Sequence, residues 1–155
     1  MSAGPTVSRT MDAPAERVFD VLADGWNYAG WVVGASHIRD VDPGWPAAGT
    51  RIHHSVGPWP FAIRDTTEVL AVEPGRMLLL RVRFWPLGSG TVRLDIEPRG
   101  TGTSYVRMTE HVDAGPVALL PRPAQTLVLR PRNDESLRRL EALVVRGRIP
   151  GGPGA

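Results

Sequence analysis

Three polar side chains stand among apolar neighbours at every second position, the spacing most suited to chemistry in this sequence. In residues 50–56, His54 shares a strand face with Ile52 and Val56. In residues 61–69, Asp65 and Thr67 share a face with Phe61, Ile63 and Val69, and in residues 104–112 Glu110 shares one with Val106, Met108 and Val112. Successive side chains of a strand point to opposite sides, so each polar group belongs to the apolar side. An imidazole and a carboxylate together in a dry space can bring each other's pKa toward neutrality, as general acid–base catalysis requires. The same groups could orient a bound molecule without reacting, or hydrogen-bond a loop or a helix end. One extra residue in a strand would reverse the faces.

Flat apolar surface is supplied by tryptophan. Trp26, Tyr28 and Trp31 cluster in one short segment, Trp59 sits in the stiff turn Gly57-Pro58-Trp59-Pro60, and Trp85 precedes Pro86. An indole gives an apolar face and one N–H donor, which suits both ligand contact and core packing. Trp31 reads as core near a cavity mouth, while Trp26 and Trp59 fit either role. The candidate ligand contacts are Trp31, His54, Trp59, Asp65, Phe84, Met108 and Glu110, and His54, Asp65 and Glu110 are the candidates for catalysis.

Other chemistry finds no support. There is no cysteine, and all 18 basic residues are arginine. Thiol nucleophiles, thiolate metal sites and lysine Schiff bases are therefore excluded. His53 and His54 are adjacent on a strand and face opposite ways, and the four histidines show no zinc spacing. Gly88-Ser89-Gly90 lacks the context and the lysine of a phosphate loop and reads as a hairpin turn. No metal and no cofactor are expected. The arginines are scattered among 16 acids with a formal net charge of +2, which argues against a nucleic-acid partner.

The elements that must position these residues follow from periodicity. Thr6–Met11 reads as a strand. Asp12 reads as the cap of a helix with Pro14 in its first turn, and Ala15, Val18, Phe19 and Leu22 make its apolar stripe. Residues 26–31 read as one further helical turn. Strands are expected near 36–41, 49–56, 60–72, 76–85, 91–98 and 103–112, joined by short turns and hence antiparallel. Prolines at 121, 123 and 131 predict a loop or a kinked helix, followed by a clean helix over 133–146 with Leu137, Leu140, Leu143 and Val144 on its apolar face. At 155 residues the chain reads as one domain over 6–147, with flexible tails at 1–5 and 148–155. No run approaches the roughly 18 apolar residues of a membrane span, and no secretory signal is evident, so a cytoplasmic location is expected.

The chain resembles the SRPBCC superfamily of START-type lipid carriers, birch-pollen-allergen-like proteins and polyketide cyclase/dehydrase-like proteins. The resemblance rests on Asp12-Ala13-Pro14-Ala15-Glu16-Arg17-Val18-Phe19, on Trp31-Val32-Val33-Gly34-Ala35 and Asp40-Val41-Asp42, on Glu68-Val69-Leu70 with Glu73-Pro74, and on the closing run from Arg132 to Leu140. It implies an α+β helix-grip fold, in which a seven-stranded curved antiparallel sheet wraps around a long C-terminal helix and two short helices lie between strands 1 and 2. It also implies a ligand cavity between sheet and helix. Three readings follow: a binder or carrier of a small hydrophobic or aromatic molecule, a polyketide cyclase or dehydratase-like enzyme using His54 and a nearby carboxylate, or a protein-interaction module such as a chaperone co-regulator. The expected partner is a small hydrophobic ligand, without integral membrane association, and the chain is a monomer or homodimer.

Overall fold

The computed structural model describes residues 4–33, 35–56, 63–84 and 88–146. Seven strands form one sheet: β1 (Thr6–Met11), β2 (Ala35–Val41), β3 (Arg51–Val56), β4 (Ile63–Glu73), β5 (Met77–Phe84), β6 (Gly88–Pro98) and β7 (Ser104–Ala114). All pairings are antiparallel in the order β1-β7-β6-β5-β4-β3-β2. A meander from β2 to β7 is thus closed by β1 on the far side of β7. The connection from β1 to β2 must cross from one sheet edge to the other, and it carries helices α1 (Ala15–Leu22) and α2 (Tyr28–Trp31). The last element is a long helix, α3 (Arg122–Arg146), and the whole is the helix-grip arrangement.

Alternation decides which sheet face is dry. On β6, Val92, Leu94 and Ile96 are buried while Arg93 and Glu97 are exposed, and on β7 Ser104, Val106, Met108, Glu110 and Val112 are all buried. Against this face α3 lays Leu129, Leu137, Leu140 and Val144. Polar ties hold the helix in place. Arg9 Nε donates to Glu141 Oε1 at 2.8 Å, and Arg17 Nε donates to the Val144 carbonyl at 3.2 Å. Gly30 lets α2 approach α3, since a Cβ there would lie 3.3 Å from Leu143. No helix among the described residues is long and apolar enough to cross a membrane.

Two local expectations are corrected, and an alternative left open is decided. The N-cap of α1 is Pro14 in extended backbone, which makes no side-chain cap bond, and Asp12 stands two residues before it. Gly88-Ser89-Gly90 belongs to β6, because Phe84 pairs with Gly88 and Arg83 with Ser89. Close approach to β7 explains these glycines. A Cβ on Gly88 or Gly90 would fall 2.2 Å or 2.1 Å from a backbone oxygen of β7. The stretch before residue 133, read as a loop or a kinked helix, is helical, and α3 runs from Arg122 through the helix expected over 133–146. Pro123 stands in the first turn, where its missing N–H breaks no helical bond, and Pro131 is tolerated inside the helix on an exposed face.

Candidate functional site

The interior polar groups begin at the β3–β4 ladder. His54 pairs directly with Asp65, and Thr67 lies two residues further along the same face of β4. Both His54 and Thr67 are buried, with Asp65 8% exposed. His54 Nε2 and Thr67 Oγ1 are 2.9 Å apart, and the Tyr28 hydroxyl meets the same Thr67 oxygen at 2.9 Å. Tyr28 opens α2 directly after a 3₁₀ turn (Gly25–Asn27) that Asp24 caps by accepting from Trp26 N. The turn drives the phenol inward while leaving Trp26 exposed. Its ring stacks on His54 (5.6 Å, 26°) and meets Trp31 edge-on (5.5 Å, 72°).

Burial pushes the Tyr28 hydroxyl up to about 12, against the lowering effects of the Thr67 hydrogen bond and the Arg132 charge. Tyr28 is therefore a neutral O–H. His54 is held below the usual imidazole range by burial, which the Asp65 charge only partly opposes. The hydrogen-bonded chain Tyr28–Thr67–His54 can run in either direction. With the proton on Nε2, His54 donates to Thr67 and its Nδ1 is an acceptor. With the Thr67 hydroxyl donating to Nε2, Nδ1 carries a proton and is a donor. Among the described residues, Nδ1 is buried and has no partner.

A second polar cluster ties β7 to α3. Asn133 Nδ2 donates to Glu110 Oε1 at 2.8 Å, and Arg132 Nη1 donates to the two Glu110 oxygens at 3.2 and 3.4 Å. Arg132 Nε also donates to the Val33 carbonyl, and Ser136 Oγ accepts from Val33 N. Tyr28 of the first cluster and Arg132 and Ser136 of the second line one space, so the two clusters meet in the interior. Between them lies a cavity of about 10 Å³ lined by Tyr28, Trp31, Val82, Met108, Arg132 and Ser136, among others. That is room for about one water molecule. Among the described residues, no group of three or more His, Asp or Glu side chains could hold a metal ion.

Of the candidates read from the sequence, His54 and Asp65 lie side by side, and Trp31 and Met108 line this cavity. Glu110 is buried on β7, with β6, β5 and β4 between its strand and that of His54. Trp59 and Trp85 lie outside the described residues, as does the side chain of Phe84. Sequence reasoning did not single out Tyr28 as a polar group, Thr67 as the link, or Arg132, Asn133 and Ser136. A signal existed for the last two: with Leu129, Leu137, Leu140 and Val144 they occupy the inward stripe of α3, where a polar residue needs a partner.

The family described as polyketide cyclase/dehydrase and lipid transport matches residues 4–145. Among solved structures, the fold is similar to that of the Zhui aromatase/cyclase from Streptomyces sp. R1128, with 17% identity, 96% of each chain covered and a TM-score of 0.72. A START superfamily protein from Mycobacterium smegmatis is similar at 15% identity over 94% of this chain and 99% of that one, with a TM-score of 0.73. Ara h 8.0201 is similar at 15% identity over 92% and 97%, with a TM-score of 0.66. Identities this low speak for the fold alone. A search of curated protein sequences found no match.

Proposed function

The chain belongs to the polyketide cyclase/dehydrase and lipid transport family, and on that premise we propose that it binds a small apolar or aromatic molecule between the inner sheet face and α3. The observation that carries this reading is His54 Nδ1, buried and without a partner among the described residues at the end of the Tyr28–Thr67–His54 chain. A buried polar atom without a partner costs about 1–3 kcal/mol. A carbonyl or hydroxyl of a ligand would satisfy it, in either direction of the chain. The Tyr28 ring stacks on His54, and Tyr28 and Trp31 both line the cavity, which His54 itself does not line. The cavity of about 10 Å³ must widen to admit a ring, since about 150 Å³ is what benzene occupies in a dry protein cavity. Ligand entry therefore moves α3 or α2 relative to the sheet.

Native mass spectrometry of freshly purified protein, joined with a titration by anilinonaphthalene sulfonate, tests the reading. A copurifying small molecule, or saturable probe binding that weakens severalfold in His54→Ala with little change in thermal midpoint, supports it. No copurifying mass, with equal probe affinity in wild type, His54→Ala and Thr67→Val, contradicts it.

A second reading, a cyclase or dehydratase of aldol type, is favoured by the depressed His54 pKa. A neutral imidazole can take a proton from a carbon acid, and Asp65 opposite would stabilise the imidazolium that forms. Tyr28, kept neutral, would donate to the substrate oxygen that gains charge. Incubation with a short poly-β-keto thioester tests this. An aromatic product formed by wild type and lost in His54→Ala supports it, and product formed equally by the variant contradicts it.

A further inference from the structure

The first half of α3 wears its apolar side outward. Residues three and four apart share a helix face. Pro123, Leu127 and Pro131 form one row, with Ala124 and Val128 beside it. Leu127 is 78% exposed and Val128 48%, while Leu129, on the opposite side, is buried. The 3₁₀ turn before the helix (Pro116–Leu119) and the residue after it add Leu119 at 87% and Leu120 at 38%. The second half of the same helix follows the usual rule, with Leu137, Leu140 and Val144 inward and Asp134, Arg138 and Arg139 exposed. The inversion is thus local and ends at Asp134. Its flank is cationic, because Arg122, Thr126 and Arg130 make the adjoining row, and residues 114–133 contain no Asp or Glu.

We propose that this face docks on an anionic lipid bilayer. Branched apolar side chains held in water gain free energy by entering the headgroup boundary, and the flanking arginines meet lipid phosphates there. The charge pattern selects the partner. A protein interface carries a polar rim that pairs both signs of charge and many hydrogen bonds, whereas the charged side chains of residues 114–133 are all arginine. Pro121, Pro123 and Pro131 already restrict the segment, so little ordering remains to oppose docking. This inference is independent of the interior ligand. Its test reads vesicle binding and no small molecule.

Co-sedimentation with vesicles of phosphatidylcholine alone, and of phosphatidylcholine mixed with phosphatidylglycerol, decides it. The protein should bind the anionic vesicles and release as salt rises. Leu119→Gln and Leu127→Gln, both at exposed positions, should each weaken binding on the order of tenfold with an unchanged thermal midpoint. Arg130→Gln should weaken it roughly fivefold at low salt. Three results would overturn the proposal: no binding to anionic vesicles, equal binding by the leucine variants, or an equal loss in Arg83→Gln, an exposed arginine of β5. A fourth would too, namely sedimentation showing a wild-type dimer that Leu127→Gln turns into a monomer, because a second copy would then cover the face.

Discussion

Replacing Arg132 by methionine asks whether the Glu110 cluster anchors α3. Glu110 is 0% exposed and Arg132 26% exposed at the side chain, and they meet at 3.2 Å. Removing one partner of a fully buried ion pair costs about 3–5 kcal/mol, because the other charge is stranded. The partial exposure of Arg132 lowers the figure for this pair below that range, to about 2–3 kcal/mol. Arg132 also donates to the Val33 carbonyl, and losing that bond adds about 1 kcal/mol. Arg132→Met should therefore cost about 3–4 kcal/mol. Glu110→Gln alone should cost about 1–2 kcal/mol, since the amide oxygen still accepts from Asn133 and Arg132 can turn to water. The double variant should be more stable than Arg132→Met by about 1–2 kcal/mol, because no buried charge is left behind. Urea unfolding followed by tryptophan fluorescence and far-ultraviolet circular dichroism measures all three. Simple additivity, or a loss under about 1 kcal/mol in Arg132→Met, would refute the anchoring role.

Two further predictions test the packing and the histidine. Leu140→Ala should cost about 2–5 kcal/mol in the same denaturation, as Leu140 has no exposed surface, and a smaller loss would mean that α3 does not seal the sheet. Burial depresses the folded pKa of His54, so the unfolded chain, at about 6.5, takes up the proton first. The contribution of His54 to stability is then full above about pH 6.5 and is lost as the pH falls through the folded value. Urea midpoints across this range should drop on acidification in wild type and drop less in His54→Gln, and equal acid slopes would sink the argument.

Much of the fold was legible because one sheet face is dry and the other wet. A period of two along Val92, Leu94 and Ile96, or along Val106, Met108 and Val112, has one physical solution. The inward placement of His54, Asp65 and Glu110 follows from the same rule. The register irregularities of β4 and β7 fall at Leu70 and Asp113, beyond these residues, so the faces stay in phase. The start of α3 was half legible, because three prolines leave a loop and a kinked helix both open until Pro123 is placed in the first turn and Pro131 on the outward face. Nor was the Tyr28–Thr67–His54 chain. Tyr28 and Thr67 are 39 positions apart, and no local pattern brings an α2 phenol against a β4 hydroxyl. Gly88 and Gly90 misled for a related reason. Turns and close strand approach both select glycine, and the sequence alone does not separate them.

The central claim is that an apolar ligand enters the interior and completes the hydrogen bonds of His54. Nuclear magnetic resonance of isotope-labelled protein titrated with anilinonaphthalene sulfonate tests it most directly, since it reports where the probe sits. Saturable shifts at Tyr28, Trp31, Thr67, Met108 and the His54 ring, with small changes at Leu119 and Leu127, are the predicted result. Shifts confined to residues 119–131, or no saturable shift at the His54 ring, would contradict it.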